Sequence, residues 1–389
     1  MKHIQKIFCS WLKIWQLKPL LIILNEDHYT MVRPILYAMT LFGLCPLRYK
    51  TMNSYYEIKY CKFLIIYSYA FFLITSAGTI WGLRRDALAG NDSPRMTDLR
   101  KRYITICDIG TILLISLLGV LTTPCRTRQL RKILEIFSSI DQKYPVTKCD
   151  KHARSSIILI FTSLAGFLGL VCVETYLHSL RYLQNYICYF VLYTNLICQT
   201  MFFWHLVFFV QIRLMRFKEE LLKETVFALI VEVSSEVRLK ELLDVLEKIR
   251  KCVGIINDSA SFGVVFLTLS CLLHLVVTPY SLLVEILKKS PSVTIIVLQS
   301  AWLSGHIGLL LLITEPCQRC SKEYQDICNI TQEVICLMEL RRDLRTKHFA
   351  ENLKFNACGF FNIDRSLLTS IAGAVSTYLV ILFQFSGNT

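Results

Sequence analysis

Seven stretches of about twenty predominantly apolar residues govern what this chain can fold into. They occupy 61–82, 103–124, 156–178, 185–211, 262–287, 292–314 and 366–386. Each is long enough to cross the hydrocarbon core as a helix, where every backbone N–H and C=O must be satisfied internally. The sequence therefore predicts an all-α membrane protein with seven transmembrane helices. Composition agrees: of 389 residues, 54% are hydrophobic and only 19% charged. An eighth candidate, 34–47, is short and flanked by Arg33 and Arg48, which suits a re-entrant or interfacial segment better than a span.

The basic residues set an orientation. The segments 1–59, 125–155, 212–261 and 315–365 together hold 33 Lys and Arg, and the alternate segments hold 9. Lys62, at the end of the first span, completes the 43. Lys and Arg collect on the cytoplasmic side, so the N-terminus is expected inside and the C-terminus outside. The net charge of +14 is thus membrane-loop charge. No Gly-rich phosphate loop or zinc-finger spacing supports a nucleic-acid partner.

This orientation is opposite to that of G-protein-coupled receptors. The chain has no Asn-Pro dipeptide and no Asp-Arg-Tyr after the third span.

Residues 2–17 read as a basic amphipathic helix lying on the membrane, and not as a signal peptide. Ile4, Ile7, Phe8, Trp11, Ile14 and Trp15 form its apolar stripe, with Lys2, Lys6 and Lys13 opposite. In the segment 212–256, Leu239, Leu242, Leu246, Ile249 and Val253 recur at helical spacing. Ile327, Ile330, Val334 and Leu337 do the same in 315–365. Both patterns predict that spans continue into a cytoplasmic helical bundle, packed within one subunit or between subunits. Sixteen cysteines, several within apolar runs, behave as small hydrophobes and not as a disulfide framework.

The last span ends Ser376-Thr377-Tyr378-Leu379-Val380-Ile381-Leu382-Phe383-Gln384-Phe385. Thr377, Ile381 and Gln384 share one helix face. A hydroxyl and an amide facing lipid are costly, so that face should meet water or another helix of the chain. Ser370, Gly373, Ala374 and Thr377 form a small-residue face permitting close helix approach.

This ending resembles the Thr-Tyr-(five hydrophobic)-Gln-Phe signature of insect gustatory receptors. The run Gly359, Phe360, Phe361, Ile363, Asp364 and the segment Phe42-Gly43-Leu44-Cys45-Pro46 are similar to further family motifs. Between them the resemblance is one of topology. It implies a multi-pass receptor in the plasma membrane of gustatory neurons that is a tastant-gated, non-selective cation channel. Four subunits, identical or with related gustatory receptors, would surround a pore lined by the seventh span. Thr377, Tyr378, Ile381, Gln384 and Phe385 would face it, and Asp364 could form an acidic ring at the inner mouth. In the sugar-responsive branch the third motif position tends to hold Glu; Leu379 stands there, which implies a bitter or other non-sugar ligand. The alternative is a seven-helix receptor that signals through a G protein or co-receptor without its own pore.

The resemblance divides the chain into a cytoplasmic N-terminal region (1–59), six spans with the ligand pocket in their outer halves (60–314), a cytoplasmic helical anchor segment (315–365), and a pore helix with a short outer tail (366–389). Polar and aromatic side chains in the outer halves give the candidate ligand residues: Asp108, Tyr189, Tyr193, His274, Thr278, Tyr280, Gln299 and Trp302. Asp108 is the deepest ionisable group, and Pro279 should kink the fifth span. The tyrosines also fit an interfacial aromatic belt.

No cofactor and no metal are expected. Cys317-Gln-Arg-Cys320 lacks a second close pair, the eight histidines are read as scattered, and no catalytic arrangement indicates an enzyme. Asn91, in Asn-Asp-Ser, is the glycosylation candidate on the outer side.

Overall fold

The structure is a computed structural model and describes residues 21–24, 26–51, 56–90, 93, 96, 99–146, 149–178, 180–231, 235–337 and 353–386. The 2–17 helix and Asn91 lie outside them.

Among the described residues, seven helices are long and apolar enough to cross a membrane. They are α2 (Lys62–Ala89), α3 (Leu99–Leu121), α5 (Cys149–His178), α6 (Leu180–Val231), α7 (Ser235–Ile286), α8 (Val293–Leu337) and α9 (Arg365–Ser386). Two further helices, α1 (Glu26–Leu41) and α4 (Thr123–Asp141), accompany them.

The organising element is α6. It runs 52 residues, and 78% of its apolar window is buried, against 11% for α9. Its sequence explains this. Phe190, Leu192, Leu196, Ile197, Phe202, Phe203, Leu206 and Val207 cover every face, and a helix apolar all round sits inside a bundle. It packs against α1, α2, α3, α5, α7 and α8, whereas α9 leans on α7 and α8 from outside.

Small residues let α2 come close to α6. A methyl added at Gly78 would overlap the Cys188 side chain, and one at Gly82 the backbone carbonyl of Asn185. Two glycines four apart are a small-residue interface of the kind that draws membrane helices together. One turn on, Asp86 accepts hydrogen bonds from Asn185 Nδ2 at 2.5 Å, from the Tyr186 hydroxyl and from Ser93 Oγ at 2.8 Å.

α6, α7 and α8 run on beyond the length a bilayer needs. Phe217 and Leu221 of α6 and Ile327 of α8 are buried there with Val245, Leu246, Ile249, Cys252 and Val253 of α7. The described part of the α7 seam therefore packs within one chain. The side chains of Leu239, Leu242, Val334 and Leu337 lie outside the described residues.

α4 joins this bundle with Leu130, Ile133, Leu134, Phe137 and Ile140. It is tied to α6 by a buried pair, Arg213 Nη2 to Asp141 Oδ2 at 2.5 Å, with the guanidinium 3.9 Å from the Phe137 ring centre. Removing one partner of such a pair costs far more than the pair contributes.

The 34–47 segment forms the end of α1, a turn at Gly43 (φ 69°) and the first residue of β2 (Leu47–Thr51). Its Ile35, Leu36, Met39, Leu44 and Leu47 are buried, and α1 packs on α5 and α6. A purely helical expectation missed an antiparallel sheet here. Its order is β1 (Leu21–Leu24), β3 (Tyr56–Tyr60), β2, with Ile22 opposite Ile58 and Tyr49 also opposite Ile58. The stacked rings of Tyr29 and Tyr56, 3.8 Å apart, join α1 to this sheet. A two-residue ladder, β4 (Asn356–Ala357) with β5 (Phe361–Asn362), precedes α9.

Candidate functional site

Five of the membrane helices bring polar and aromatic side chains to one place. α3 supplies Asp108, α5 Phe167, α6 Tyr189 and Tyr193, α7 His274, and α8 Trp302 and His306.

Asp108 is the electrostatic problem. A buried carboxylate is tolerated only when donors surround it. It is 5% exposed. The Tyr189 hydroxyl donates to its Oδ2 at 2.6 Å, and His274 Nε2 lies 2.9 Å from its Oδ1. The His274 ring stacks on His306, centroids 4.0 Å apart. His306 Nδ1 faces the Trp302 carbonyl at 2.8 Å. A carbonyl only accepts, so the assigned proton sits on Nδ1 and Nε2 accepts from the Tyr193 hydroxyl at 2.6 Å. The aromatic walls complete the set: Phe167 stacks on Tyr193 at 5.1 Å, and Trp302 lies edge-on to Tyr193 at 5.6 Å. Carboxylate, imidazoles, phenols and flat apolar rings together can bind a small molecule that offers hydrogen-bond donors and an apolar face.

Of the eight candidate ligand residues, Asp108, Tyr189, Tyr193, His274 and Trp302 converge in this network. Thr278 is buried one turn along α7 from His274, and Gln299 is half-buried a turn before Trp302. Tyr280, half-buried, follows Pro279 within α7. The tyrosines are core residues, not an interfacial belt: Tyr186, Tyr189 and Tyr193 are among the largest fully buried side chains. The reading of the histidines as scattered needs correction, because His274 and His306 are ring against ring. His306 and Phe167 were missed. His306 was findable, four residues after Trp302 and on the same helix face. Phe167 carried no signal that separates it from a lipid-facing phenylalanine.

The second candidate site is the C-terminal part of α9. Thr377, Tyr378, Ile381 and Gln384 are all exposed in the single chain. The Thr377 hydroxyl bonds its own helix, donating to the Gly373 carbonyl at 3.0 Å. A Cβ added at Gly373 would meet nothing within 4 Å, so the small-residue face is not used inside this chain. The side chain of Phe385 lies outside the described residues. At the other end Asp364 caps the helix, accepting from Ser366 N at 2.9 Å and Ser366 Oγ at 2.5 Å. Arg365 holds Glu315 of α8 through Nε at 3.1 Å and Nη2 at 2.9 Å.

Seven helices long and apolar enough to cross a membrane, with a buried cluster of polar and aromatic side chains among them, define a multi-pass membrane protein. Residues 32–388 match the model of the 7tm chemosensory receptor family, and the chain belongs to that family. This is a family of receptors and not of enzymes. The chain is 37% identical over 159 residues to "Gustatory receptor for sugar taste 43a" of Drosophila melanogaster, a stretch covering 38% of this chain and 36% of that protein. It is 31% identical over 101 residues to "Gustatory receptor for bitter taste 66a" of the same species, covering 25% and 19%. These stretches span well under half the length of the curated relatives they match. Among solved structures, the insect olfactory receptor OR5 from Machilis hrabei has the same fold. The TM-score is 0.58, or 0.62 for its complex with eugenol, at 15% identity over 91% of this chain and 97% of that one.

Proposed function

We propose that this gustatory receptor is a tastant-gated, weakly selective cation channel, built from four copies or from this chain with related subunits around α9. The observation that carries the proposal is the uncovered row Thr377, Tyr378, Ile381 and Gln384 on a membrane helix that is only 11% buried. Polar groups facing lipid are expensive, so the row calls for water or another copy. Around a four-fold axis Gln384 would form a polar ring, and Ile381 or Phe385 a hydrophobic constriction that gates by dewetting. The open small-residue face at Ser370, Gly373 and Ala374 suits close approach between copies.

The ligand is a small tastant held by the Asp108–His274–His306–Tyr193 cluster in the outer halves of the spans. Relatives named for sugar taste and for bitter taste are both among the similar proteins. Leu379, in place of the glutamate of the sugar-responsive branch, favours a bitter or other non-sugar plant compound. The 33:9 division of basic residues supports a cytoplasmic N-terminus and an outer C-terminus. With that orientation the extensions of α6, α7 and α8 form a cytoplasmic anchor, and the plasma membrane of gustatory neurons is the site of action.

The test is expression in a cell without other chemosensory receptors, with whole-cell current recorded during application of alkaloids, plant phenolics and simple sugars. Inward cation current to alkaloids or phenolics is expected. Current to sugars alone would overturn the ligand class, and a response that needs an added G protein would overturn the channel.

A further inference from the structure

A cavity lies where α3 gives way to α4. Its volume is about 360 Å³, within the range of small-molecule sites, and its walls come from α3, α4, α6 and α7. Along α3 the nearest wall residue, Ile115, is about 10 Å from Asp108 and Thr122 about 20 Å, at 1.5 Å per residue. The cavity is therefore separate from the tastant cluster.

Its two sides differ in chemistry. Ile115, Leu118, Phe203, Phe262 and Leu267 make one apolar wall. Arg126, Arg128, Gln129 and Lys132 of α4 line the other, against Asp258, the one carboxylate in the lining. Arg126 is committed, donating to the carbonyls of Leu44 and Gly119. Arg128 is half-buried and Lys132 exposed.

Between the walls projects the Gln199 amide. It is framed by two glycines: Nε2 lies 2.6 Å from where a Gly119 Cβ would stand, and Oε1 3.8 Å from that of Gly263. Among the described residues, neither Gln199 Nε2 nor Gln129 Oε1 has a hydrogen-bond partner, and both atoms are buried. A buried donor left unmatched is costly, and an anionic ligand oxygen would satisfy the Gln199 N–H.

The location adds the rest. From Ile109 to Leu121 α3 carries no charged residue, and Arg126, Arg128, Arg131 and Lys132 of α4 follow, which puts the cavity where the apolar part of the span meets a basic segment, as at the boundary between hydrocarbon and head groups. Basic pockets between membrane helices at that level suit anionic head groups. We infer that this cavity binds a phospholipid with an anionic head group, its phosphate held by Arg128, Lys132 and the Gln199 amide and an acyl chain laid over the apolar wall. A free phosphate ester shares the anion but leaves that wall unused.

The test uses the purified full chain in phosphatidylcholine nanodiscs, titrated with dioctanoyl phosphatidylserine and read by native mass spectrometry. Dioctanoyl phosphatidylcholine and free phosphoserine are the comparison arms. Binding of one phosphatidylserine per chain is expected, with both comparison ligands at least tenfold weaker. R128Q/K132Q should weaken phosphatidylserine binding tenfold or more. Gly263→Leu should do the same, because an added Cβ there meets nothing nearer than 3.8 Å and the longer side chain fills the cavity. Thermal unfolding of each variant shows that it is folded, and if one is not, the other carries the result. Equal binding of phosphoserine, equal binding of phosphatidylcholine, or unchanged affinity in the folded variants would overturn the inference.

Discussion

His274 Nε2 lies 2.9 Å from Asp108 Oδ1, so an imidazole on α7 and a carboxylate on α3 meet in the membrane-spanning part of the bundle. Through the stacked His306 and its bond to Tyr193, the contact continues into α8 and α6. Four helices thus share one polar network, and a ligand that enters it competes with bonds already made. Under the proposed function, that coupling is the route by which a bound tastant would alter the arrangement of the helices.

Asp108→Asn keeps the size of the side chain and removes the charge that His274 and Tyr189 face. The concentration of agonist for half-maximal response should rise about tenfold or more, equivalent to a loss of roughly 1.4 kcal/mol for one buried charged partner. Dose–response currents, normalised to surface protein, check this. An unchanged response would remove Asp108 from the proposed ligand site.

His306→Phe preserves stacking on His274 but deletes the acceptor of the Tyr193 hydroxyl. Leaving that buried hydroxyl unmatched should cost about 1–3 kcal/mol of stability. The double change with Tyr193→Phe should recover most of it. Melting temperatures of the two purified variants give the comparison.

Gly82→Ala should destabilise the receptor by roughly 1–3 kcal/mol, because the new methyl meets the backbone carbonyl of Asn185 and only helix displacement relieves it. Gly166→Ala on α5, with nothing within 4 Å of its Cβ, should be neutral. Fluorescence-detected size-exclusion after graded heating separates the two.

The Arg365–Glu315 pair ties the start of α9 to α8 beside Pro316. Arg365 is 66% exposed, so the pair contributes only about 0–1 kcal/mol to folding. Its value should lie in registering the proposed pore helix. Arg365→Glu should alter the fraction of channels open at saturating agonist, and adding Glu315→Arg should restore it. Absence of rescue with both proteins at the surface would confine the pair to a surface role.

The spans were legible because each is a long apolar run, and that signal needs no tertiary context. Asp108 was legible because a lone carboxylate in such a run is expensive. The α7 seam was legible as a repeat of Leu246, Ile249 and Val253, but whether it closed within a chain depended on where α4 and α8 lay. The strand Tyr56–Tyr60 alternates Tyr, Glu, Ile, Lys, Tyr, a period-two pattern hidden by the apolar run that follows. Gly78 and Gly82 stood four apart in plain view, yet only the docking of α6 shows what they permit. The α4 cavity could not be read at all, since Ile115, Gln199 and Gly263 are far apart in sequence.

The central claim is that the amide row of α9 lines an ion path. Gln384→Cys in the reconstituted receptor, treated from outside with a charged methanethiosulfonate during agonist-evoked single-channel recording, tests it directly. A stepwise fall in conductance as copies are modified is predicted. Labelling of Gln384→Cys without any change in conductance would contradict it.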